Sequence, residues 1–549
     1  MHRTHITPHR PIGTPGPAPR GAWIGLAAVL LALAANAALG QCPLPLGTQK
    51  LTAPDATASD LFGTRSALDG DILMVSSPGD DGQRGSVHVY RRHQGGFVHE
   101  QKLTASDGGT GDRFGISIDL LGNVAILGAD LDDSMGTDSG SAYVFEFNGS
   151  QWIERQKLVP NDGSANDRFG QSACILDAQR VLVSAPYDDG PPTDAGSVYE
   201  FRLVNGAWAQ HEKVVPVLIA ESGLFGSGID AEGDTLVVGA PGWDQSGNDA
   251  GALLVFRHNG SAWQEMQTLF GSDTAAGDQF GLALEIEGEF IMTGAWVHDG
   301  SASDAGAAYV FRRRPDGNWE QFARLAPSDL EAGDGFGGVV ALEGTTAVIS
   351  SHRADDAGAE VGAAYHYQFD GDMWVQAAKF YPGDPTGSDG FGVEFALQHP
   401  HLVVGAYRHD DPADDAGAAY VFNLDPSPIS ISLHPADEAV PAGNSAIFTV
   451  AADGTPPFTY TWRYNGVAIG ENSPFFAGVG TDTLTVSPAL LGMDGTIDVI
   501  VGNLCSGDQR SDPAALTVFD PCPPDFNGDG RLDTRDVLSF LNAWTAGCN

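Results

Sequence analysis

Read only for apolar and polar positions, the chain writes one phrase seven times. A Phe-Gly pair opens it at Phe62-Gly63, Phe114-Gly115, Phe169-Gly170, Phe225-Gly226, Phe280-Gly281, Phe336-Gly337 and Phe391-Gly392, 52 to 56 residues apart. A small pair follows 14 or 15 residues after each Phe, as in Ser76-Ser77, Gly128-Ala129 and Gly405-Ala406. Beyond an acidic loop comes a third phrase, such as GSAYVF (140–145) or GAAYVF (306–311 and 417–422).

Each unit predicts four short strands. FGLALEI (280–286) alternates with the period of two of a half-buried strand. A turn holding Gly70, Gly122, Gly233, Gly288 or Gly344 leads to a second strand such as TLVVGA (235–240), apolar throughout and so expected inside. The third strand carries the aromatic and β-branched residues suited to a pleated surface. Asn148-Gly149, Asn205-Gly206 and Asn259-Gly260 then read as hairpin turns into a fourth strand, which opens on Trp and ends on Gln-Lys-Leu.

Four antiparallel strands per unit, repeated radially, predict an all-β fold with a seven-bladed β-propeller over 48–425. The small pairs are expected where inner strands crowd a common axis, and each Phe should fill the wedge between blades. Gln49-Lys50-Leu51 precedes the first Phe-Gly, while the seventh AAYVF ends at Phe422 with no trailing strand of its own. This offset predicts that the N-terminal strand completes the last blade and removes the sheet edges of an open array. A right-handed β-solenoid is the alternative, although its repeats are usually shorter.

On these residues the chain resembles the FG-GAP repeats of integrin-α-type propellers, especially the secreted bacterial form with Gly-[Ser/Ala]-x-Tyr-Val-Phe. The resemblance implies a propeller used for binding or cell adhesion, with a glycan or matrix protein as ligand. One departure bears on calcium. Integrin-like repeats carry an Asp-x-Asp-x-Asp-Gly loop before the small pair, where this chain has short turns such as Glu287-Gly288-Glu289. The calcium expectation therefore does not extend to the propeller. Its acidic loops are regular all the same, with Asp80-Asp81, Asp132-Asp133, Asp188-Asp189, Asp355-Asp356 and Asp410-Asp411. Two readings stay open: Asp bonding local backbone N–H groups in turns, or a rim of cation or ligand sites.

The rhythm changes past Pro426. SAIFTV (445–450), FTYTWRYNG (458–466), DTLTV (482–486), GTIDVIV (495–501) and AALTV (514–518) predict a small β-sandwich over 428–518. Trp462, twelve residues after Val450, resembles the core Trp of an immunoglobulin-like domain. Val450 and Val499 then stand at the disulfide positions and Ile497 at the corner tyrosine. A fibronectin type III sandwich stays open.

The sharpest chemistry lies in DFNGDGRLDTRD (525–536). Calcium takes six to eight oxygens, which a twelve-residue loop supplies from positions 1, 3, 5, 7, 9 and 12 around a glycine at 6. Here these are Asp525, Asn527, Asp529, the Arg531 carbonyl, Asp533 and Asp536, with Gly530 at the turn. The apolar spacing of Val537, Leu538, Leu541 and Trp544 predicts a helix after it. The segment 522–549 resembles a dockerin repeat, which anchors exported proteins to cohesins. That resemblance implies a cohesin-like or other surface-anchoring partner contacted by Thr534 and Arg535. It is closer to the short bacterial type ending in Gly-Cys, here Gly547-Cys548. Cys522 and Cys548 flank loop and helix, and a disulfide between them would steady so small a module by about 3 kcal/mol. Cys42, Cys174 and Cys505 have no evident partner.

Charge narrows the function. The 549 residues carry 28 Lys+Arg against 71 Asp+Glu, a net charge of −43. Such a surface repels phosphate backbones and argues against nucleic acid. At the N-terminus Arg3, Arg10 and Arg20 precede the apolar run WIGLAAVLLALAANAAL (23–39), a secretory signal expected over 1–40 and removed from the mature chain. Asn36 and the small residues near it argue against a retained transmembrane anchor. No Gly-x-Ser-x-Gly, His-Glu-x-x-His or phosphate loop occurs, and the histidines His211, His298, His352 and His409 lack ligand spacing. The expectation is a non-enzymatic binding or adhesion protein, secreted or on the surface of a bacterium. The alternatives are a secreted polysaccharide hydrolase or lyase with a propeller catalytic domain, and a structural role in a surface layer.

Overall fold

The computed structural model describes residues 49–93, 96–189, 193–218, 222–424, 429–454, 458–470, 473–502, 508–520, 527, 531 and 533–544. The expected leader (1–40), Asp525, Asp529, Cys42, Cys505, Cys522 and Cys548 lie outside them.

Seven four-stranded antiparallel sheets follow one another along the chain. The first blade holds the strands Ser66–Asp69, Ile72–Ser77, Ser86–His93 and Gly96–Leu103 in that order. The second strand of every blade is apolar and buried almost end to end, as Thr235–Ala240 illustrates. The seventh blade closes the ring as the offset requires. Its own strands end at Asn423, and Gln49–Leu51 joins as its outer strand, with Gln49 opposite Val421 and Leu51 opposite Ala419.

Two details differ from the sequence reading. In the first five blades the Phe-Gly pair precedes the strand, which starts four residues after the Phe, as at Ser66 and Leu284. Only the sixth and seventh first strands begin on the Phe itself, at Phe336 and Phe391. The small pair, moreover, answers to the next blade rather than to the axis. A Cβ on Gly128, Gly239, Gly294 or Gly405 would lie 1.7–2.0 Å from the carbonyl oxygen of the following blade's Phe-Gly glycine. The reason is that the Phe-Gly turn is the joint between blades. Phe280 N–H donates to Ala250 O of the preceding blade (3.1 Å), while Gly281 N–H donates to Gly294 O of its own (3.1 Å). The Phe ring meanwhile packs edge-on against the third strand of its own blade, as Phe280 does on Tyr309 and Phe311. All seven of these Phe side chains are fully buried. Each phrase is therefore repeated because each blade must be joined to two neighbours by the same few atoms.

A second joint explains the Gln and the Trp. The Gln101 amide gives its N–H to Trp152 O (2.8 Å) and accepts Trp152 N–H (2.9 Å), as a peptide group of a neighbouring strand would. Gln156 holds Trp208 likewise, Gln267 holds Trp319, and Gln49 holds Phe97 across the closure.

The sandwich sets Glu438–Pro441, Ala514–Phe519, Gly495–Gly502, Thr459–Tyr464 and Val467–Ala468 in one sheet, and Ala446–Thr449, Thr483–Val486 and Phe476–Ala477 in another. Trp462, Val450, Ile497 and Val499 share its core, and the Trp462 indole donates to Thr481 O (2.8 Å). At the C-terminal end the helix runs Thr534–Trp544, three residues earlier than its apolar spacing suggests. Asp533 accounts for the early start, accepting Arg535 N–H on its carboxylate (2.7 Å) as an N-cap does. Among the described residues no helix is long and apolar enough to cross a membrane.

Candidate functional site

Among the described residues, polar side chains come together on the rim loops, at the axis and in the C-terminal loop. They also do so in the third blade, where Glu200, His211 and Glu212 place their ligand atoms close enough to hold a metal ion, although the sequence showed no ligand spacing at His211. On the rim, the Lys of Gln-Lys-Leu is the organising group. Lys157 reaches Asp107 (2.8 Å) from the loop before its blade and Asp132 (2.7 Å) from the acidic loop within it. Its ammonium also lies 5.2 Å from the Tyr143 ring centre, and Tyr143 donates its hydroxyl to Asp107 (2.8 Å). The same clasp recurs as Lys102 with Asp55 and Asp80, Lys213 with Asp162 and Asp188, and Lys379 with Asp329 and Asp356. Arg324 pairs with Asp273 in the fifth blade (3.0 Å). Burial works against the charge on Lys157, but the hydrogen bonds to Asp107 and Asp132 outweigh it and hold the ammonium above its usual range. Burial likewise works against Asp107, and Lys157 holds it below the usual carboxylate range. Both readings of the rim acids are thereby refined. They do bond local backbone, as Asp133 does to Asp138 N–H (2.9 Å), but in six blades they also close on a cation that the chain itself supplies.

The clasp of the seventh blade shows this most directly. Asp384, His409 and Asp411 place their ligand atoms close enough to hold a metal ion. The Lys50 ammonium already sits among them, 2.8 Å from Asp384, 2.7 Å from His409 Nε2 and 2.9 Å from Asp411. His409 and His298 are buried members of such clasps, whereas His211 is exposed.

The fourth blade lacks the whole device. Thr268 stands where the cation should be, Leu218 where the first acid should be, Trp243 at the second acid and Leu254 at the tyrosine. Such residues have to change together, since one charge left unpaired in a half-buried site is costly. Val217 and Leu218 are 76% and 65% exposed there, so an otherwise acidic rim carries one apolar loop.

At the axis the repeats diverge. Three residues past each Phe stand Arg65, Ser117, Ser172, Gly228, Ala283, Val339 and Glu394; five past it stand Ala67, Asp119, Cys174, Asp230, Glu285, Ala341 and Ala396. The second layer is acidic in blades two, four and five, carries the Cys174 thiol in blade three and is methyl-lined over the rest. A cavity of about 390 Å³ opens here, with walls from all seven blades that include Arg65, Gln171, Glu285, His352 and Glu394. The acids are partly structural. Asp119 accepts Ile175 N–H (2.6 Å), Asp230 accepts Ile286 N–H (2.8 Å), and Glu285 accepts Leu342 N–H, each from the inner strand of the following blade. Burial pushes Asp230 and Glu394 up to about 7 and Glu285 well above the usual range. Cys174 is buried with a free thiol, which burial among Asp230 and Asp119 also raises. The axial acids and Arg65 were not singled out from sequence. The signal was there, in repeats aligned on the Phe and read at the third and fifth positions.

Of the predicted calcium ligands, Asn527, Arg531, Asp533 and Asp536 fall among the described residues. Asp536 is 4% exposed. It accepts Asn527 N–H on one oxygen (3.3 Å) and Asp533 N–H on the other (2.8 Å), drawing loop positions 3, 9 and 12 together. What meets the Asp536 carboxylate here is backbone N–H, while the side chains of Asn527, Asp533 and Asp536 carry the oxygen type of donor that calcium takes. Thr534 and Arg535 are exposed beside them at the start of the helix, and Val537, Leu538 and Leu541 are exposed along it.

No curated protein matches the chain. Solved structures with local likeness include the N-terminal Ig1-2 module of the Drosophila receptor protein tyrosine phosphatase DLAR (25% identity over 18% of this chain and 53% of that one, TM-score 0.16). Titin M4 is another (23% identity, 17% and 99%, TM-score 0.16), as is Duf (Kirre) D1 (18% identity, 17% and 98%, TM-score 0.15). The chain spans about half the length of the first of these, and at such TM-scores nothing about it rests on them. The repeats themselves are decisive. The FG-GAP repeat profile matches seven times, over 47–90, 97–145, 152–201, 208–256, 263–311, 319–367 and 374–422. Each span runs from the outer strand of one blade through the first three strands of the next, so that the seven together cover the ring knit by the Phe-Gly and Gln joints, and the chain belongs to the FG-GAP repeat family.

Proposed function

We propose that this chain is a non-enzymatic binding or adhesion protein, exported to the outside or surface of a bacterium. The propeller presents the ligand surface, the sandwich acts as an immunoglobulin-like spacer, and the C-terminal dockerin-like module takes calcium and tethers the whole to a cohesin-like or other anchoring partner. One observation carries this reading. Six rim loops are fixed by internal cation clasps, and the seventh position offers exposed Val217 and Leu218 instead. Loops held rigid on a closed scaffold are how binding surfaces are commonly built, and an apolar loop in an acidic rim supplies a contact point for a glycan face or a matrix protein.

The test is an array of glycans and matrix proteins probed with the purified full chain. Capture should fall when Val217 and Leu218 are both replaced by Asp, with melting unchanged. Capture indifferent to that double substitution defeats the reading.

One observation favours the enzyme alternative: Glu394 and Glu285, both with raised pKa, line one cavity, and acid–base hydrolysis uses such carboxyls. Polysaccharide turnover by the full chain that disappears in Glu394→Gln would put that reading first.

A further inference from the structure

We propose that the axial cavity is a binding site for a small organic cation, an alkylammonium or guanidinium compound, with its charged head between Glu285 and Glu394. This goes beyond the adhesive reading, which concerns the rim loops. The cavity exists only in the closed ring, since its walls come from all seven blades, and its volume of about 390 Å³ lies at the small-molecule end of ligand pockets.

Its charges are unbalanced in one sense. Arg65 faces Glu394 across 3.4 Å and offsets one carboxylate. Glu285 feels Asp230 and Glu394, and Asp230 feels Asp119, so the acids of blades two, four, five and seven act on one another. His352 brings no second cation: burial lowers it to about 4, which leaves the imidazole neutral. The ring has room beside the axis because Gly338 has no side chain, and a Cβ there would lie 2.6 Å from His352 Nδ1.

A purely structural account covers only some of these acids. Asp119, Asp230 and Glu285 cap N–H groups on the exposed edge of the next inner strand, a task that an amide oxygen would perform as well. Glu394 has no such duty. Its neighbours are Arg65 and the N–H of Phe395 on its own strand. On the opposite wall, Gln171 Oε1 is sealed from solvent with no hydrogen-bond partner, an acceptor lacking a donor. Excess carboxylate in a half-buried cavity, where Glu285 and Glu394 stand, is costly unless it is paired, and an entering cation supplies the pairing. Ile118, Val340 and Leu284 are among the apolar lining residues, so the cavity offers an apolar wall to an aliphatic body and an acidic one to its head.

Titration calorimetry on the full chain at low salt tests this, with cadaverine and arginine methyl ester as cationic probes and pentanediol as the neutral one. One cation should bind per chain. Glu285→Gln and Glu394→Gln should each weaken it by about ten-fold or more, while Glu320→Gln, on the exposed surface, should leave it unchanged. Melting curves confirm that each variant is folded. Pentanediol binding as tightly as cadaverine overturns the proposal. So does the absence of cation binding, or affinity indifferent to both axial substitutions. None of these outcomes touches capture at Val217 and Leu218, so the two readings fail separately.

Discussion

The ammonium of Lys50 lies 2.7 Å from Nε2 of His409, 359 residues further along the chain. An ammonium can only donate, so Nε2 accepts. The ring proton is then on Nδ1, which faces Asp389 Oδ1 at 3.3 Å. The first strand is thus fastened to the last blade by charge as well as by its ladder. Lys50→Met should lower stability by about 2 kcal/mol, less than for a fully buried pair because the side chain keeps some contact with water. Leu51→Asp, which puts a charge at a buried position of the same strand, should cost more. Thermal unfolding of the full chain reads both, and an unchanged melting temperature in the pair would mean that the ring does not depend on its closing strand.

Glycine at the small pair is a steric requirement of the blade joint. Gly294 has no left-handed backbone to excuse it, yet a Cβ there would sit 1.7 Å from Gly337 O. Gly294→Ala should therefore cost several kcal/mol, about 3 or more, through forced separation of two blades. Gly383 is exposed and a Cβ on it meets nothing within 4 Å, so Gly383→Ala should be neutral or slightly stabilising. Denaturant midpoints separate the two. Equal effects would show that the cost lies in backbone freedom and not in the joint.

The ring was legible because its joints are local in sequence and repeated. Phe280-Gly281 and Gly294 announce the same contact in every unit, and the strand offset at Gln49 and Phe422 announces the closure. What escaped was non-local. Nothing within one repeat says that Gly294 answers Gly337 rather than the axis, because the contact is made by the following copy. The clasp of Lys157 with Asp107 and Asp132 joins residues 50 and 25 positions apart, so each acid alone looks like a turn residue. The axial acids were hidden for the opposite reason: Asp119, Asp230, Glu285 and Glu394 break the repeat, and a reading tuned to what recurs passes over what differs.

Acid at the axis and acid on the rim pull stability in opposite directions with pH. Asp230, faced by Asp119 and Glu287, and Glu394, faced by Arg65, are raised to about 7. The folded chain therefore holds protons that the unfolded chain releases above about pH 4. Their contribution falls as pH rises from there to 7 and is constant below it. Asp55 and Asp107, held low against burial by Lys102 and Lys157, contribute above the unfolded value and lose that contribution in acid. The double variant Asp230→Asn/Glu394→Gln should flatten the decline between about pH 5 and about pH 8 by on the order of 2 kcal/mol, the open channel screening part of the shift. Urea midpoints at the two pH values measure it. A wild-type chain with no decline over that window would show that water fills the axis and leaves these acids ordinary.

Asp536 ties the C-terminal loop together before any metal arrives, and that sets what its loss should do. Both oxygens accept backbone N–H groups of the loop, from Asn527 and from Asp533, so the carboxylate is buried at position 12 of the proposed calcium loop. Calcium should bind the full chain through this loop and be stripped by EGTA, with Asp536→Asn weakening it by about ten-fold or more, since a charged ligand becomes a neutral one. An asparagine keeps one acceptor oxygen, so the helix Thr534–Trp544 should persist in the variant. Lys50→Met, at the far end of the sequence, should leave calcium affinity untouched. Calcium titration followed by calorimetry distinguishes the cases. Affinity unchanged in Asp536→Asn would place any bound ion elsewhere, and with it would go the calcium-dependent tether.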